Sequence, residues 1–519
     1  MTFSRRTFLA GAATLAAAPA VSHGALYAAS STPFTLGVAS GDPATDGFVL
    51  WTRLALSPVG PAGEGLADRV PVRWTVAFDP GFDRIAARGW TSADRRLGHS
   101  VHVEVGGLPA NRPYWYRFEA LGYQSETGRS RSTPRPGDDL SRLRFGVASC
   151  ANWERGYFSA YRHMAEEDFD VIFFLGDYIY EYSLGPERAA EVVRPYGLPE
   201  ARSLDDYRAR YALHRSDPDL RAAHASAPFV VTWDDHEVQD DYSALWSSRP
   251  GVSTEVFARR RAAAYQAYYE NMPLRRSALP RGPNARLYRR LRYGQLADFF
   301  VLDGRQHRSR QPCLDTPAYG KGHIAPDSCA DLQDPTRSLL GAAQERWLYD
   351  GFRRADATWN VLAQNLLMAP LRATPKSREA AWWTDTWDGY AAGRMRLLDA
   401  IDGSGLSNPL VLTGDYHSFF SSQLHLDPTN PASKPIAVEV AGTSITSTGP
   451  SHAGITGILP DNPHVKFFDS RHRGYVSIDL TPSEATVKLQ KISDRTDPRA
   501  SLETLYKHGV SAGLHGVIG

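Results

Sequence analysis

Four apolar runs in this sequence end on an acidic residue. Val171-Ile172-Phe173-Phe174-Leu175 leads into Gly176-Asp177, and residues 229–233 lead into Asp234-Asp235-His236-Glu237. Residues 299–302 lead into Asp303, and residues 410–413 into Gly414-Asp415-Tyr416-His417. A fifth run, Leu143–Ala148, ends at Ser149-Cys150. Short apolar runs of this kind read as buried strands. Acids at the carboxyl ends of central strands gather at one sheet edge, the usual place for an α/β active site. A single Asp after a strand is ordinary, because Asp starts turns and caps helices. Asp303 taken alone fits that reading and a site role equally well, but the recurrence over the whole set does not come from turns and caps alone. Carboxylates held close together repel and take up protons unless a cation neutralises them. The pattern therefore points to a metal cluster.

The residue types narrow the metals. Asp177 and Tyr180 sit three apart just past a strand end and can turn toward one point. Asp415 and His417 flank Tyr416, so their side chains share a side if the backbone stays extended. Residues 234–237 offer three carboxylates and an imidazole. Magnesium and calcium prefer oxygen shells, and a thiolate excludes them from its own position. A thiolate and a phenolate together favour Fe(III) for one position, while all-oxygen positions nearby suit Ca²⁺ or Mg²⁺. The chain has three cysteines. Cys313 and Cys329 flank a short loop that a disulfide between them would close. Cys150 is left over, either buried and inert or chemically employed, and its acidic neighbours favour employment.

These groups need a framework. Residues 140–519 read as a mixed α/β domain. Residues 156–167 carry Phe158, Tyr161 and Ala165 at helical spacing ahead of the strand at 171, and residues 342–353 place Trp347, Leu348 and Phe352 on one helix face. Residues 32–136 look all-β, with short alternating runs at 47–51, 70–76, 100–105 and 114–118, as in a small β-sandwich of immunoglobulin or fibronectin type. Residues 130–139, with Pro134, Pro136 and Gly137, read as a linker. Residues 1–30 read as an export signal: Ser4-Arg5-Arg6-Thr7-Phe8-Leu9, an alanine-rich stretch, then Ala18-Pro19-Ala20. The paired arginines before Phe-Leu resemble a twin-arginine signal; an ordinary secretory signal is the alternative. The stretch is too short to span a bilayer, which needs about 20 apolar residues. No later segment has that length and apolarity. A periplasmic or secreted protein without a transmembrane anchor after signal removal is expected, with the twin-arginine machinery as a partner.

Composition agrees. Of 519 residues, 42% are hydrophobic and 22% charged, which excludes a disordered chain. Lys and Arg total 58 against 57 acids, so no global basic field draws nucleic acid.

The chain resembles the PhoD-like alkaline phosphatases, a branch of the calcineurin-like metallophosphoesterase superfamily. The resemblance is carried by 145–150 (Phe-Gly-Val-Ala-Ser-Cys), 175–182 (Leu-Gly-Asp-Tyr-Ile-Tyr-Glu-Tyr), 233–238 (Trp-Asp-Asp-His-Glu-Val), Asp303-Gly304-Arg305-Gln306 and 412–417 (Leu-Thr-Gly-Asp-Tyr-His). Trp387-Asp388-Gly389-Tyr390, residues 441–447 and residues 267–274 follow the same pattern. It implies a two-layer β-sandwich core flanked by helices, holding an Fe(III) and one or two Ca²⁺. By position it implies Cys150 and Tyr180 as iron ligands and Asp177 as the bridging carboxylate. Asp235 falls on the asparagine of the superfamily's Gly-Asn-His-Asp/Glu motif, a metal ligand. His236 falls on the histidine that assists the leaving group. Asp415 and His417 fall on the two ligands of Gly-His-X-His, one per metal.

Two departures stand out. Where the family has an asparagine shortly after Asp-Asp-His-Glu, this chain has Asp240 and Asp241. A carboxylate ligand at Asp240 tightens a Ca²⁺ site or changes which cation is held. The usual Gly-Asp-Val-His is Gly-Asp-Tyr-His here, which makes Tyr416 a packing change directed away from the metals.

The expected activity is hydrolysis of phosphomonoesters, phosphodiesters or both. The expected attack is by a metal-bound hydroxide or oxide without a phosphoenzyme, with His236 protonating the leaving alkoxide. An arginine should clamp a phosphate oxygen. Arg305, at a strand end, is the candidate; its alternative is an ion pair bridging loops. The run Arg259-Arg260-Arg261 reads as a solvated helix face. Two other functions stay open: a phospholipase or teichoic-acid-type phosphodiesterase, and a non-catalytic, metal-stabilised polymer-binding protein.

Overall fold

The computed structural model describes residues 32–517 except 59, 61, 314–322, 325–328, 373–381, 428, 429, 431 and 515. The expected export signal at 1–30 lies outside the described residues.

Strands buried on both faces have no polar side to show, so they read as unbroken apolar runs. Val171–Leu175 is buried at every position. It pairs in parallel with Leu143–Ala148 on one side and Phe229–Thr232 on the other. These three form the middle of a nine-stranded sheet. Gly474–Leu480, Glu484–Ile492 and Leu502–Ser511 extend it antiparallel beyond Leu143–Ala148. The C-terminal segment is thus an edge strand. A second, seven-stranded sheet has Ala297–Val301, Trp359–Ala363, Pro409–Thr413 and Pro435–Ala441 as its parallel centre.

The two sheets face each other across one apolar layer. Phe173 stacks on Phe299 at 4.6 Å between ring centroids, and Phe145 meets Phe299 edge-on at 5.4 Å. Each such ring contributes about 1.5–3 kcal/mol by leaving water. Ser159–Glu166, Leu204–Arg215, Pro218–Ser226 and Thr254–Asn271 cover the outer face of the first sheet. Gly341–Arg353 and Ala391–Ser404 cover that of the second. This is the α/β arrangement the sequence implied: a β-sandwich core flanked by helices.

The N-terminal β-rich region is a two-layer sandwich around its own apolar core, and one of its layers joins the larger sheet. Arg69–Ala77, Ile85–Asp94, Pro113–Ala120, Tyr123–Gln124 and Gly128–Arg131 form their own antiparallel sheet. Val38–Ala44, Gly47–Arg53 and Ser100–Val105 instead continue the nine-stranded sheet, through a parallel pairing of Gly41 with Phe229. A Cβ at Gly41 would lie 2.5 Å from the carbonyl oxygens of both Phe229 and Pro273, so only glycine permits the join.

The arginine run also departs from expectation. Arg259 is exposed, but Arg261 is buried and donates to the Ala244 carbonyl, while Arg260 pairs with Glu200. Cys313 and Cys329 are bonded, with Cα atoms 6.0 Å apart. Among the described residues no helix is long and apolar enough to cross a membrane.

Candidate metal centre

The strands ending at Ala148, Leu175, Thr232 and Thr413 deliver their following residues to one rim of the sandwich. The loops there are held by tight backbone contacts. Cys150 N donates to Gly176 O at 3.0 Å, and Ala151 N to Asp177 O at 2.9 Å. Gly176 has φ +103°, and a Cβ on it would sit 2.4 Å from Asp234 Cβ. That glycine lets the Asp177 and Asp234 loops touch.

Five non-glycine residues at this rim adopt left-handed backbone: Cys150, Asp177, Asp241, Asp415 and His417, with φ between 52° and 61°. Each such conformation costs on the order of 1–3 kcal/mol, and such costs concentrate at functional sites. Asp415 and His417 therefore do not share a side through extended alternation. Two left-handed turns bring them to the same cavity.

The convergence is tight. Ligand atoms of Cys150, Asp177 and His417 all lie within 4.8 Å of one another. The same holds for Asp177, Asp235 and His236; for Asp177, Asp234, Asp235 and Asp415; and for Asp235, Asp240 and Asp241. Asp177 belongs to three of these groups. Tyr180 Oη lies 3.0 Å from Asp177 Oδ2 and 3.2 Å from His417 Nε2. His417 Nδ1 lies 3.0 Å from the Thr448 carbonyl, which fixes Nδ1 as the protonated nitrogen and leaves the Nε2 lone pair facing the cluster.

Electrostatics test whether these residues fit metal ions. Burial, reinforced by one another's charge, pushes the Cys150 thiol, the Tyr180 phenol and the Asp177 and Asp415 carboxyls well above their usual ranges. Burial also raises Asp234 to about 6, against the pull of Arg305. Asp234 Oδ2 is buried with no hydrogen-bond partner among the described residues. Such a set is poorly neutralised by the protein, and cations would both deprotonate and pair it. The donors fit: a mixed sulfur, nitrogen and oxygen group around Asp177, and an all-carboxylate group at Asp235, Asp240 and Asp241.

The supports are carboxylates and one arginine. Glu237 accepts from the backbone N–H of Asp177, Tyr178 and Asp234 at 3.0, 2.6 and 2.7 Å, bracing two loops at once. Burial raises it to about 7. Glu181 Oε2 lies 2.8 Å from His236 Nδ1. Burial alone would lower the His236 imidazole, but Asp235, Asp177 and Glu181 overcome it and hold the ring charged well above its ordinary value.

Arg305, expected to clamp phosphate, is corrected by its position. It is 0% exposed, ion-paired to Asp234 and Asp385, with Nη2 3.5 Å from Asp235 and 3.6 Å from Asp415. It lies behind the carboxylates, as a loop-bridging ion pair. Asp303 also stays outside the cluster: its carboxylate accepts from Trp233 Nε1, Arg305 N and Gln306 N, which closes a turn.

Asp177, Tyr180, Asp235, His236, Asp415 and His417 line a cavity of about 300 Å³. The cations on its wall are Arg155 and Arg188, both drawn to Glu191. Neither stands out in the sequence, because they arise from 3-10 turns, Trp153–Arg155 and Pro186–Glu191, with no strand-end pattern. The one local signal is Asn152, which caps the first turn two residues after Cys150.

Comparison with known proteins identifies the family. Residues 145–489 match the family model described as PhoD-like phosphatase, and residues 18–134 that of the PhoD-like phosphatase N-terminal domain. The sequence is 44% identical to alkaline phosphatase D of Bacillus subtilis (strain 168), covering 97% of this chain and 87% of that one. The solved structure of PhoD superposes with a TM-score of 0.88 at 43% identity, covering 94% of this chain and 93% of the other. With both segments matched and the fold shared over 94% of this chain, the chain belongs to the PhoD-like phosphatase family.

Proposed function

We propose that the protein is an exported, metal-dependent phosphoric ester hydrolase of the alkaline phosphatase D type, and that it works at this rim. One observation carries the reading: acid, thiol, phenol and imidazole groups from four loops, residues 150, 177–181, 234–241 and 415–417, converge beside a cavity walled by Arg155, Arg188 and His236. Cys150, Asp177, Tyr180 and His417 would hold Fe(III). Asp235, Asp240, Asp241 and Asp415 would hold Ca²⁺. Bound there, the cations would lower the pKa of water and offset charge developing on the phosphoryl oxygens.

The protein's own groups supply the rest. Arg155 and Arg188 donate to the phosphoryl oxygens and orient the ester over the cluster. Glu181 holds His236 Nδ1, so the Nε2–H is the proton delivered to the departing alkoxide. Tyr180 packs against the imidazole, 4.1 Å between ring centroids, and limits its rotation. Arg305 keeps Asp234 and Asp235 ionised from behind.

The paired arginines Arg5-Arg6 support export by the twin-arginine route to the periplasm or medium, where the Cys313–Cys329 disulfide is stable. The test is hydrolysis of p-nitrophenyl phosphate and its bis ester by metal-loaded protein, before and after chelation. Asp177→Asn should abolish both activities. Absence of hydrolysis by the metal-loaded wild type, with Asp177→Asn lowering only thermal stability, would favour a polymer-binding protein with structural metals.

A further inference from the structure

A second cavity adjoins the first. Its volume is about 180 Å³, and Trp383, Tyr416 and Pro450 line both cavities. Beyond that shared wall its lining is aliphatic: Leu367, Leu371, Ile455 and Ile458. The polar side chains at its edge are already engaged within the protein. Thr386 Oγ1 donates to Trp383 O, and Asp388 pairs with Arg394 and accepts from Leu371 N. Ser451 Oγ accepts from Gly454 N. The cavity therefore offers little to a charged or hydrogen-bonding group and much to an apolar one.

Tyr416 forms the partition. It lies between Asp415 and His417, and the two left-handed turns on either side of it send their side chains to the cluster. Its own ring goes the other way, against Phe420 at 5.4 Å and Trp383 at 5.8 Å. The backbone that assembles the metal centre thus also builds the wall of the apolar cavity.

Resting on the hydrolase reading above, we infer that this cavity binds an apolar substituent of the phosphate ester, so that Leu371, Tyr416 and Ile455 set substrate preference. A cavity of about 150 Å³ lined by aliphatic and aromatic side chains takes up benzene. This one accommodates one aryl ring or a chain of about six carbons by the same measure. With the phosphoryl group held in the first cavity, the alcohol's hydrocarbon part runs along the Trp383, Tyr416 and Pro450 side chains that border both cavities. Esters with small or highly hydroxylated alcohols leave the cavity unused.

The experiment measures alcohol release by the metal-loaded protein from two series, alkyl phosphates and methyl alkyl phosphates, with methyl, butyl, hexyl and decyl chains. In at least one series kcat/KM should rise about threefold per methylene up to about six carbons and then level off. Ile455→Asn and, independently, Leu371→Asn should each cut the hexyl-to-methyl ratio about tenfold. A ratio is read because a poorly folded variant loses both substrates equally. Hydrolysis without chain-length preference, or a preference kept by both variants, overturns the subsite and leaves the hydrolase standing. No release from any ester removes both readings.

Discussion

Arg305 and Asp385 meet at two points: Nη1 lies 2.9 Å from Oδ1 and 2.7 Å from Oδ2, with both side chains sealed from solvent. Arg308 reaches the same carboxylate at 2.6 Å. Asp385 is thereby held below the usual carboxylate range despite its burial, by Arg305 and Arg308. Arg305 in turn faces Asp234, Asp235 and Asp415, so the guanidinium sets a fixed positive charge beside the clustered carboxylates.

Arg305→Ala should therefore lose metal before it loses anything else. Removing one partner of a buried ion pair costs about 3–5 kcal/mol, because the other charges stay buried without it. Metal analysis should find substoichiometric iron and calcium, with activity falling in proportion. Full metal content with only a raised KM would return Arg305 to the role of a phosphate clamp.

A thiolate and a phenolate on Fe(III) absorb visible light by charge transfer. The iron-loaded protein should be coloured, and Cys150→Ser should bleach or shift the band. An unchanged spectrum would remove Cys150 from the iron shell and leave it a buried, inert thiol.

The fold's centre was legible because strands buried on both faces must be apolar throughout, as Val171–Leu175 and Pro409–Thr413 are. Residues just past such strands were legible for the same reason. What the sequence hid is geometry set from a distance. The left-handed turns at Asp415 and His417 depend on loops supplied by other segments, and the Gly41–Phe229 pairing joins residues with no common local pattern. An arginine's letter does not tell whether it faces a ligand or a carboxylate. Arg305 thus faces carboxylates, while Arg155, which no pattern singles out, lines the cavity.

Arg155 is the residue to test for phosphate contact. It lines the metal cavity, while its partner Glu191 is partly exposed. Hydrogen bonds from a charged donor contribute about 1.5–3 kcal/mol. Arg155→Ala should lower kcat/KM about tenfold to a hundredfold, leave metal content unchanged, and weaken inhibition by inorganic phosphate in parallel. Lost metal or unchanged phosphate inhibition would assign Arg155 to packing.

His236 should matter in proportion to how badly the leaving group needs a proton. General acid catalysis contributes roughly 10²–10⁴-fold. His236→Ala should lose that much on an alkyl ester and under about tenfold on a p-nitrophenyl ester, whose anion departs unaided. Glu181→Gln should reproduce a weaker version of the same split, since it removes the negative charge that faces Nδ1. Equal losses on both esters would make His236 a structural group.

The last expectation concerns stability. His214 and His224 are fully buried, and burial first, then nearby arginines, pushes both well below the ordinary histidine value of 6.5. His224 lies 3.0 Å from Tyr178 Oη and stacks on Phe229 at 3.9 Å, so a proton there would find no carboxylate partner in those contacts. The folded protein keeps these rings neutral, while the unfolded chain protonates them near 6.5. Below that pH the unfolded state binds more protons, so stability is complete above about 6.5 and falls as the pH drops. The slope is about 1.4 kcal/mol per pH unit for each histidine. Denaturation of the metal-loaded protein between pH 7 and 5 should show His224→Gln losing stability less steeply than the wild type. Acid release of metal acts on both proteins, so the difference in slope isolates the histidine. Parallel slopes would mean that His224 takes up its proton at the same pH in the fold as in the unfolded chain.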